Sequence, residues 1–384
     1  MHRLSAVWRG NTIIVLPDPR RAAMSIRTEC PHCGRQAMTV VAILALAIVA
    51  VLFAACSKDE APVAAPLPPP DTTTTSNEYT WRMLAEYKDP TILLDLLAIS
   101  DTEIWICGLF CFDSTDKVGK DGKYIYPFNL ARWNGKGMTH YRITSNDITG
   151  VVPYLNGMWK TANNILWCSV SNGLYSTRNG AVITRYTTAG TVGQLVRGDD
   201  KKLYIFGNTG SYTTYQPYTF TRVPFPEPDW VTWACQRGDT IYCTLRNEFT
   251  PSNTQNALVI EKGVPRVWRG FPWGSRNSGV WADERGGVYF CGGGVGKYAA
   301  GTYSESLKPV GRHLSAIHGT SWNNIWTVGV TGSVFHYNGR SWFDLSPEVG
   351  FPGYFFQYVQ ATANTVCAMG IGPTSTLVIL GVRK

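Results

Sequence analysis

Charged side chains are scarce in this sequence: Asp, Glu, Lys and Arg make up only 16% of 384 residues, against about 25% in average soluble proteins. Surface helices need a charged face, so the scarcity disfavours a mainly helical protein. Aromatic residues make up 12%, which excludes a disordered chain. The 38 glycines exceed the usual share of about 7%. The composition therefore favours a β-rich globular protein with many tight turns.

A dense run of basic residues is also lacking. The net charge is +8, but residues 1–55 contribute six arginines against Asp18 and Glu29, so the rest of the chain carries only +4. Nucleic-acid binding needs a concentrated positive surface. We therefore expect no nucleic acid as a partner.

Patterns typical of metal or nucleophilic sites are missing as well. Cys30-Pro-His-Cys33 is half of a zinc pattern without a second pair nearby, whereas a structural zinc ion needs four ligands. The histidines beyond the N-terminal region show neither metal spacing nor a triad order; they are His140, His313, His318 and His336. We predict no catalytic residue, no metal and no cofactor, and we favour a protein that is not an enzyme.

The acidic residues recur at one place in the sequence, a polar turn after a short apolar strand. Turn capping explains that recurrence. The acids concerned are Asp101, Glu103, Asp199, Asp200, Asp283 and Glu284. A glycosidase would require two facing carboxylates, which the sequence does not reveal.

The N-terminal region resembles the signal of bacterial lipoproteins. Residues 39–55 form an uncharged run of 17, preceded by Arg27 and Arg35 and followed directly by Cys56. The small residues before Cys56 are similar to a lipobox, with Phe53 where Leu is usual. The resemblance implies lipid attachment at Cys56, including palmitate, and cleavage before it. The alternative is one transmembrane anchoring helix.

Three regions follow from this interpretation. Residues 1–55 combine an over-long translated start with the signal peptide. Residues 56–78 form a flexible tether rich in Pro and Thr. Residues 79–384 form the folded body. Lys58, Asp59 and Glu60 after the cysteine resemble signals that carry lipoproteins to the outer membrane or the cell surface, which is the predicted location.

The body repeats one signature at a period of roughly 44 residues. Each copy has a polar turn, an aromatic or β-branched anchor and a short apolar strand. The anchors are Trp105, Trp167, Tyr204, Tyr242, Tyr289, Trp326 and Val366. Two long spacings contain insertions, at residues 111–128 and 247–256.

Each copy is consistent with four short strands, and four strands per repeat are typical of a β-propeller. We predict an all-β, seven-bladed propeller. Residues 79–87 form an unmatched strand, and the last copy is one strand short, so the N-terminal strand is predicted to close the last blade. The alternative is six blades plus an extra hairpin.

Two stretches resemble a known family of repeats. Residues 163–190 are similar to the propeller repeats of two-component-regulator sensors, and residues 314–345 are similar to related extracellular repeats that end in Tyr-Asn-Gly-x-x-Trp. Cys168 and Ser169 depart from the Gly-Thr usual in the first pattern. The resemblance implies the propeller fold and an extracytoplasmic, sensor-like module; the transmembrane and kinase parts of those sensors have no counterpart here.

Five cysteines fall one or two residues after an anchor, which favours buried free thiols at an equivalent strand position. They are Cys107, Cys168, Cys243, Cys291 and Cys367. The alternatives are disulfides between Cys107 and Cys111 and between Cys235 and Cys243.

Aromatic residues also accompany the prolines at the blade junctions. Such links converge on one mouth of a propeller, where aromatic side chains could stack on sugars or hold a peptide. The candidate ligand-binding residues are Tyr154, Phe225, Trp230, Phe271, Trp273 and Tyr354. The alternative is packing between blades.

The sequence thus predicts a membrane-anchored, extracytoplasmic propeller that binds or scaffolds an unidentified glycan or protein partner. A carbohydrate-binding or glycosidase-like surface propeller and a sensor-like module are the alternatives.

Overall fold

The computed structural model describes two short strands near the N-terminus and most of the predicted body. The described ranges are 6–9, 12–15, 73–144, 152–161, 165–170, 173–178, 181–187, 195–197, 203–206, 211–216, 219–224, 230–246, 255–271 and 279–384. The chain divides into two compact units, Met1–Asp71 and Thr72–Lys384. The described part of the first unit is one antiparallel pair, β1 (Ala6–Arg9) with β2 (Thr12–Val15).

The described part of the second unit is built almost entirely of antiparallel strands. The first eleven are β3 (Tyr79–Lys88), β4 (Ile92–Ser100), β5 (Glu103–Phe110), β6 (Lys117–Val118), β7 (Tyr124–Ile125), β8 (Phe128–Trp133), β9 (Met138–Tyr141), β10 (Gly157–Lys160), β11 (Leu166–Val170), β12 (Gly173–Arg178) and β13 (Ala181–Thr187). The next eight are β14 (Leu195–Arg197), β15 (Leu203–Phe206), β16 (Ser211–Gln216), β17 (Thr219–Pro224), β18 (Trp230–Arg237), β19 (Thr240–Arg246), β20 (Gln255–Glu261) and β21 (Val264–Phe271).

The remaining strands complete the chain. They are β22 (Gly279–Ala282), β23 (Val288–Cys291), β24 (Val295–Ala299), β25 (Thr302–Leu307), β26 (Leu314–Ser321), β27 (Asn324–Gly329), β28 (Val334–Tyr337), β29 (Trp342–Asp344), β30 (Phe355–Ala361), β31 (Thr365–Ile371) and β32 (Ser375–Arg383). A 3-10 turn, Val330–Gly332, and a single helical turn α1, Ser346–Val349, lie between strands.

The described strands of this unit form seven four-stranded sheets. In chain order their strands are β4-β5-β8-β9, β10-β11-β12-β13, β14-β15-β16-β17, β18-β19-β20-β21, β22-β23-β24-β25, β26-β27-β28-β29 and β30-β31-β32-β3, here called sheets 1 to 7. The first strand of each sheet contacts the first strand of the next, and β30 contacts β4. The sheets therefore close into a ring with these inner strands around its axis. The prediction of an all-β ring of four-stranded repeats is confirmed.

The repeat signature corresponds to the second strand of every sheet, since all seven predicted anchors lie on β5, β11, β15, β19, β23, β27 or β31. In sheets 1 and 6 a glycine three residues after the anchor allows the second strand to approach the inner strand closely. At Gly108 a Cβ atom would lie 2.1 Å from the Ile92 carbonyl oxygen, and at Gly329 it would lie 2.0 Å from the His313 carbonyl oxygen. The insertion predicted in the first repeat contains the small hairpin β6–β7.

The N-terminal strand β3 is the outermost strand of sheet 7, as the sequence predicts. It pairs with β32 from Tyr79 opposite Arg383 to Lys88 opposite Ser375. The Tyr79 ring packs edge-on against Trp326 of sheet 6 at 4.8 Å. At the other end, the Tyr87 hydroxyl lies 3.0 Å from His140 Nε2 of sheet 1. One strand therefore ties sheet 7 to both of its neighbours.

The segment before β3 is fixed to sheet 6, although the sequence places residues up to 78 in a flexible tether. Thr75 donates its backbone N–H to the Asn338 carbonyl at 3.1 Å, and Asn323 Nδ2 donates to the Thr73 carbonyl at 2.7 Å. Asn77 Oδ1 lies 2.7 Å from His336 Nδ1. The folded unit thus begins several residues before β3.

Candidate site: a pocket on the ring axis

A pocket of about 400 Å³ lies on the axis of the ring. Its lining comes from the inner strands of six sheets, namely β4, β10, β18, β22, β26 and β30. On β4 the lining extends from Asp95 to Ile99, on β18 it ends at Gln236, and on β30 it is Gln360. These residues lie in the middle and the C-terminal half of their strands. The pocket is therefore nearer to the side of the ring where inner strands turn into second strands, here called the turn face.

Polar side chains of the pocket bridge neighbouring inner strands. Asp95 Oδ2 accepts the Met158 N–H at 2.8 Å, and His318 Nδ1 accepts the Ala361 N–H at 3.0 Å. The Ala282 backbone likewise hydrogen-bonds the Cys235 sulfur. An inner strand has no strand partner on its axial side, so its backbone N–H groups need other acceptors. Acceptor side chains on one sheet thus bind the free backbone N–H groups of the inner strand of the next sheet.

Asp95 and His318, two of the titratable groups in the pocket, respond to burial in opposite ways. Burial raises the pKa of the Asp95 carboxyl to about 7, although the Leu96 and Met158 N–H groups oppose the shift. Burial lowers the pKa of His318 to about 4. His318 is therefore neutral near pH 7, and because Nδ1 accepts a hydrogen bond, its proton is assigned to Nε2.

Three tryptophans from three inner strands contribute to the wall: Trp159, Trp233 and Trp281. The Trp233 ring reaches Tyr358 on β30, with centroids 5.5 Å apart and planes inclined by 41°. Sheets 4 and 7 are not neighbours in the ring, so this contact spans the axis. Trp159 Nε1 is buried and has no hydrogen-bond partner among the described residues.

Of the aromatic residues proposed from the sequence, Tyr154 and Tyr354 have described side chains, and neither lines this pocket. Tyr154 precedes β10 and is 46% exposed, at the opposite, junction face where inner strands begin. The Tyr354 hydroxyl is 2.7 Å from Ser375 Oγ, within sheet 7. Trp230 begins β18 and Phe271 ends β21. Phe225 and Trp273 lie outside the described residues, so the predicted junction mouth is described only in part.

The cysteine prediction is confirmed for the described part of the chain. Cys107, Cys111, Cys168, Cys235, Cys243, Cys291 and Cys367 are all free. The two alternative disulfides are not formed. Cys107 Sγ instead donates to the Leu155 carbonyl at 3.1 Å, which links sheet 1 to the chain entering sheet 2.

The turn acids have two different roles. Asp283 caps its own turn, as predicted, by accepting the Gly287 N–H at 2.7 Å and the Tyr289 hydroxyl at 3.1 Å. Glu103 and Asp101 instead reach the adjacent sheets. Glu103 pairs with Lys160 at 2.5 Å, and Asp101 accepts Asn364 Nδ2 at 2.8 Å.

Glu284 accepts the Trp322 N–H at 3.1 Å and so joins sheet 5 to sheet 6. Capping alone was therefore too simple an explanation for the turn acids. Asp199 and Asp200 lie outside the described residues.

The described ranges contain neither a cluster of metal ligands nor a membrane-spanning helix. No group of three or more His, Cys, Asp or Glu side chains there could hold a metal ion. Within the same ranges, no helix combines the length and apolar character needed to span a membrane. Cys56 and residues 39–55 lie outside them.

No protein-family model matches the chain, and no curated protein sequence matches it. Solved structures do resemble it. A catalytically inactive variant of virginiamycin B lyase from Staphylococcus aureus, with quinupristin, has a TM-score of 0.59 at 9% identity, covering 79% of this chain and 99% of that one. YCF48 bound to D1 peptide has a TM-score of 0.58 at 12% identity, covering 83% and 100%.

The WD40 β-propeller domain of Doa1 has a TM-score of 0.56 at 10% identity, covering 78% of this chain and 96% of that one. The ring is a β-propeller. At these identities the likeness shows the fold alone.

Proposed function

We propose that the protein is a seven-bladed, extracytoplasmic binding β-propeller that holds its ligand in the axial pocket and is anchored through a lipid on Cys56. The pocket carries this proposal: tryptophan walls and a few polar groups converge in a concave site of about 400 Å³. That size lies within the range of about 300–1,000 Å³ for small-molecule sites. The seven described sheets support the blade count.

The composition of the lining favours binding over hydrolysis. Among the described lining residues Asp95 is the one carboxylate, whereas a glycosidase needs two. Two of the similar structures hold a named molecule, D1 peptide in one and quinupristin in the other. A neutral glycan is the second candidate, because Trp159 and the Gln360 amide offer a stacking surface and hydrogen bonds to hydroxyl groups.

The ligand face can be tested with matched substitutions and a glycan and protein pull-down. We expect Trp159→Ala and Gln360→Ala in the pocket to lower retention at least about tenfold, equivalent to roughly 1.4 kcal/mol. Tyr154→Ala and Trp273→Ala at the junctions should leave it unchanged, while circular dichroism confirms folding of all four variants. Loss of retention confined to the two junction variants would favour a ligand site at the aromatic mouth. Unchanged retention in all four variants would contradict a ligand site at either place.

The lipid anchor is a separate expectation. Labelled palmitate should be incorporated into the wild-type protein in expressing cells, and Cys56→Ser should abolish incorporation because the thiol is the acylated group. Cys235→Ser serves as the control, since that cysteine belongs to the propeller. An unlabelled wild-type protein that still sediments with membranes would support the transmembrane alternative instead.

A further inference from the structure

Asp95 is a half-buried acid that has no cationic partner among the described lining residues. The described residues that line the pocket include no Lys or Arg, and the groups that act on the Asp95 carboxyl are backbone amides. Burying a carboxylate is costly unless a cation compensates it. The pocket therefore supplies one half of an ion pair.

The carboxylate retains capacity to accept further hydrogen bonds. Oδ1 accepts the Leu96 N–H at 2.9 Å, and Oδ2 accepts the Met158 N–H at 2.8 Å. An ionised carboxylate has about four lone-pair positions, so each oxygen has room for another donor. A bound N–H group can therefore add to the existing bonds without breaking them.

The surrounding walls suit the same kind of ligand. Indole faces attract organic cations through their quadrupole, and the attraction is strongest in a desolvated site. Trp159, Trp233 and Trp281 line the pocket together with Asp95. His318 adds no competing positive charge because its ring is neutral near pH 7.

We propose that the axial pocket binds a protonated amine or a guanidinium group carried on an alkyl chain, with Asp95 as its counter-ion and the tryptophans around the chain. A lysine or arginine side chain of a peptide and a free alkyl amine share this chemistry. The inference rests on the proposed binding function and specifies the ligand class of the same pocket.

Binding of such a cation depends on pH through Asp95. The carboxyl has a pKa of about 7 in the empty pocket, so below that value the cation must displace a proton. The other titratable groups facing Asp95 are Cys107 of β5, Cys168 of β11 and Tyr358 of β30. Burial raises the pKa of all three, so they stay neutral through this range.

Two further groups in the pocket also keep one charge state. Burial raises the pKa of Cys235 on β18 to about 12, and the pKa of His318 on β26 is about 4. Asp95 is therefore the group in this set that changes charge between about pH 6 and about pH 8.

The test uses calorimetric titration of the full-length protein with four probes. Nα-acetyl-lysine methylamide and Nα-acetyl-arginine methylamide carry the cation on a peptide unit, and hexylamine carries it without one. Nα-acetyl-norleucine methylamide is the neutral match. At about pH 8 we expect the cationic probes to bind at least about tenfold more tightly than norleucine, and about tenfold more weakly at about pH 6 than at about pH 8.

Asp95→Asn should remove both the charge preference and the pH dependence, while Glu305→Gln on the exposed strand β25 should leave both unchanged. If Asp95→Asn does not fold, the pH dependence of the affinity of the wild-type protein for the cationic probes still tests the inference. Equal affinity for norleucine and lysine amides, or affinity independent of pH, would overturn the inference. Binding of hexylamine alone would assign the ligand to free amines rather than peptides.

Failure of the inference and failure of the binding function give different results. If no cationic probe binds but Trp159→Ala and Gln360→Ala still weaken pull-down of a partner, the proposal of a cationic ligand is wrong and the pocket remains the ligand site. If the probes do not bind and the pocket variants retain every partner, the proposed function fails as well.

Discussion

Deletion of β3, residues 79–88, is expected to prevent stable folding. The strand pairs with β32 along its whole length, and its two tyrosines are buried in different clusters, Tyr79 with sheet 6 and Tyr87 with sheet 1. Burial of such side chains contributes about 1.5–3 kcal/mol each, before the lost strand pairing is counted. The total approaches the free energy of unfolding of a typical protein, about 5–15 kcal/mol.

The measurement is the thermal unfolding curve, followed by circular dichroism. A deletion of residues 61–70, which leaves β3 and the segment before it intact, is the matched control and should unfold like the wild type. Adding a synthetic peptide of residues 73–90 should restore part of the transition, because the exposed edge of β32 can accept a strand. An unchanged melting temperature after deletion of β3 would contradict closure of sheet 7 by this strand.

Acid should destabilise the protein through His318, and His318→Gln should remove that contribution. The pKa of His318 is lowered by burial from 6.5 to about 4, so the unfolded chain binds the proton more tightly. The stability due to neutral His318 is complete above about pH 6.5 and is lost as the pH falls towards 4. The loss between about pH 7 and about pH 4.5 is about 2 kcal/mol.

Asp95 acts in the opposite sense over the same interval. Its raised pKa means that the folded protein holds the proton more tightly, so this group favours folding as the pH falls. The pH dependence of wild-type stability therefore contains both contributions. The difference in the free energy of unfolding between wild type and His318→Gln isolates that of His318, because Asp95 is present in both proteins. In His318→Gln the amide oxygen of the new side chain can still accept the Ala361 N–H. Wild type and variant should therefore differ mainly in how steeply the free energy of unfolding changes with pH.

Urea unfolding at the two pH values provides the free energies for this comparison. The variant should gain about 2 kcal/mol relative to wild type on going from about pH 7 to about pH 4.5. Parallel pH profiles would mean that His318 is protonated in the folded protein at the lower pH.

The sequence was sufficient for the fold because its repeat signature falls on one strand of every sheet. The anchors place an aromatic or β-branched side chain on the second strand, and the glycine behind Trp105 or Trp326 allows close contact with the inner strand. Closure by β3 could also be predicted, since an unmatched strand at one end and a missing strand at the other complement each other.

The axial pocket could not be predicted in the same way. Its lining comes from strands as far apart as β4 and β30, and the alternation of a short inner strand does not show which side chain faces the axis. One signal was available: Asp95 interrupts the apolar strand ILLDLLAIS, where a charged side chain is unusual. The junction aromatics drew attention to the opposite face because they form a visible sequence pattern.

The contacts of residues 73–77 with sheet 6 have a mechanical consequence. A pulling force applied to the chain upstream would first load the hydrogen bonds of Thr73, Thr75 and Asn77 with Asn323, Asn338 and His336. The pairing of β3 with β32 would bear tension only after those bonds had broken. Residues 73–77 would therefore protect the pairing that closes the ring from a force applied through its N-terminal connection.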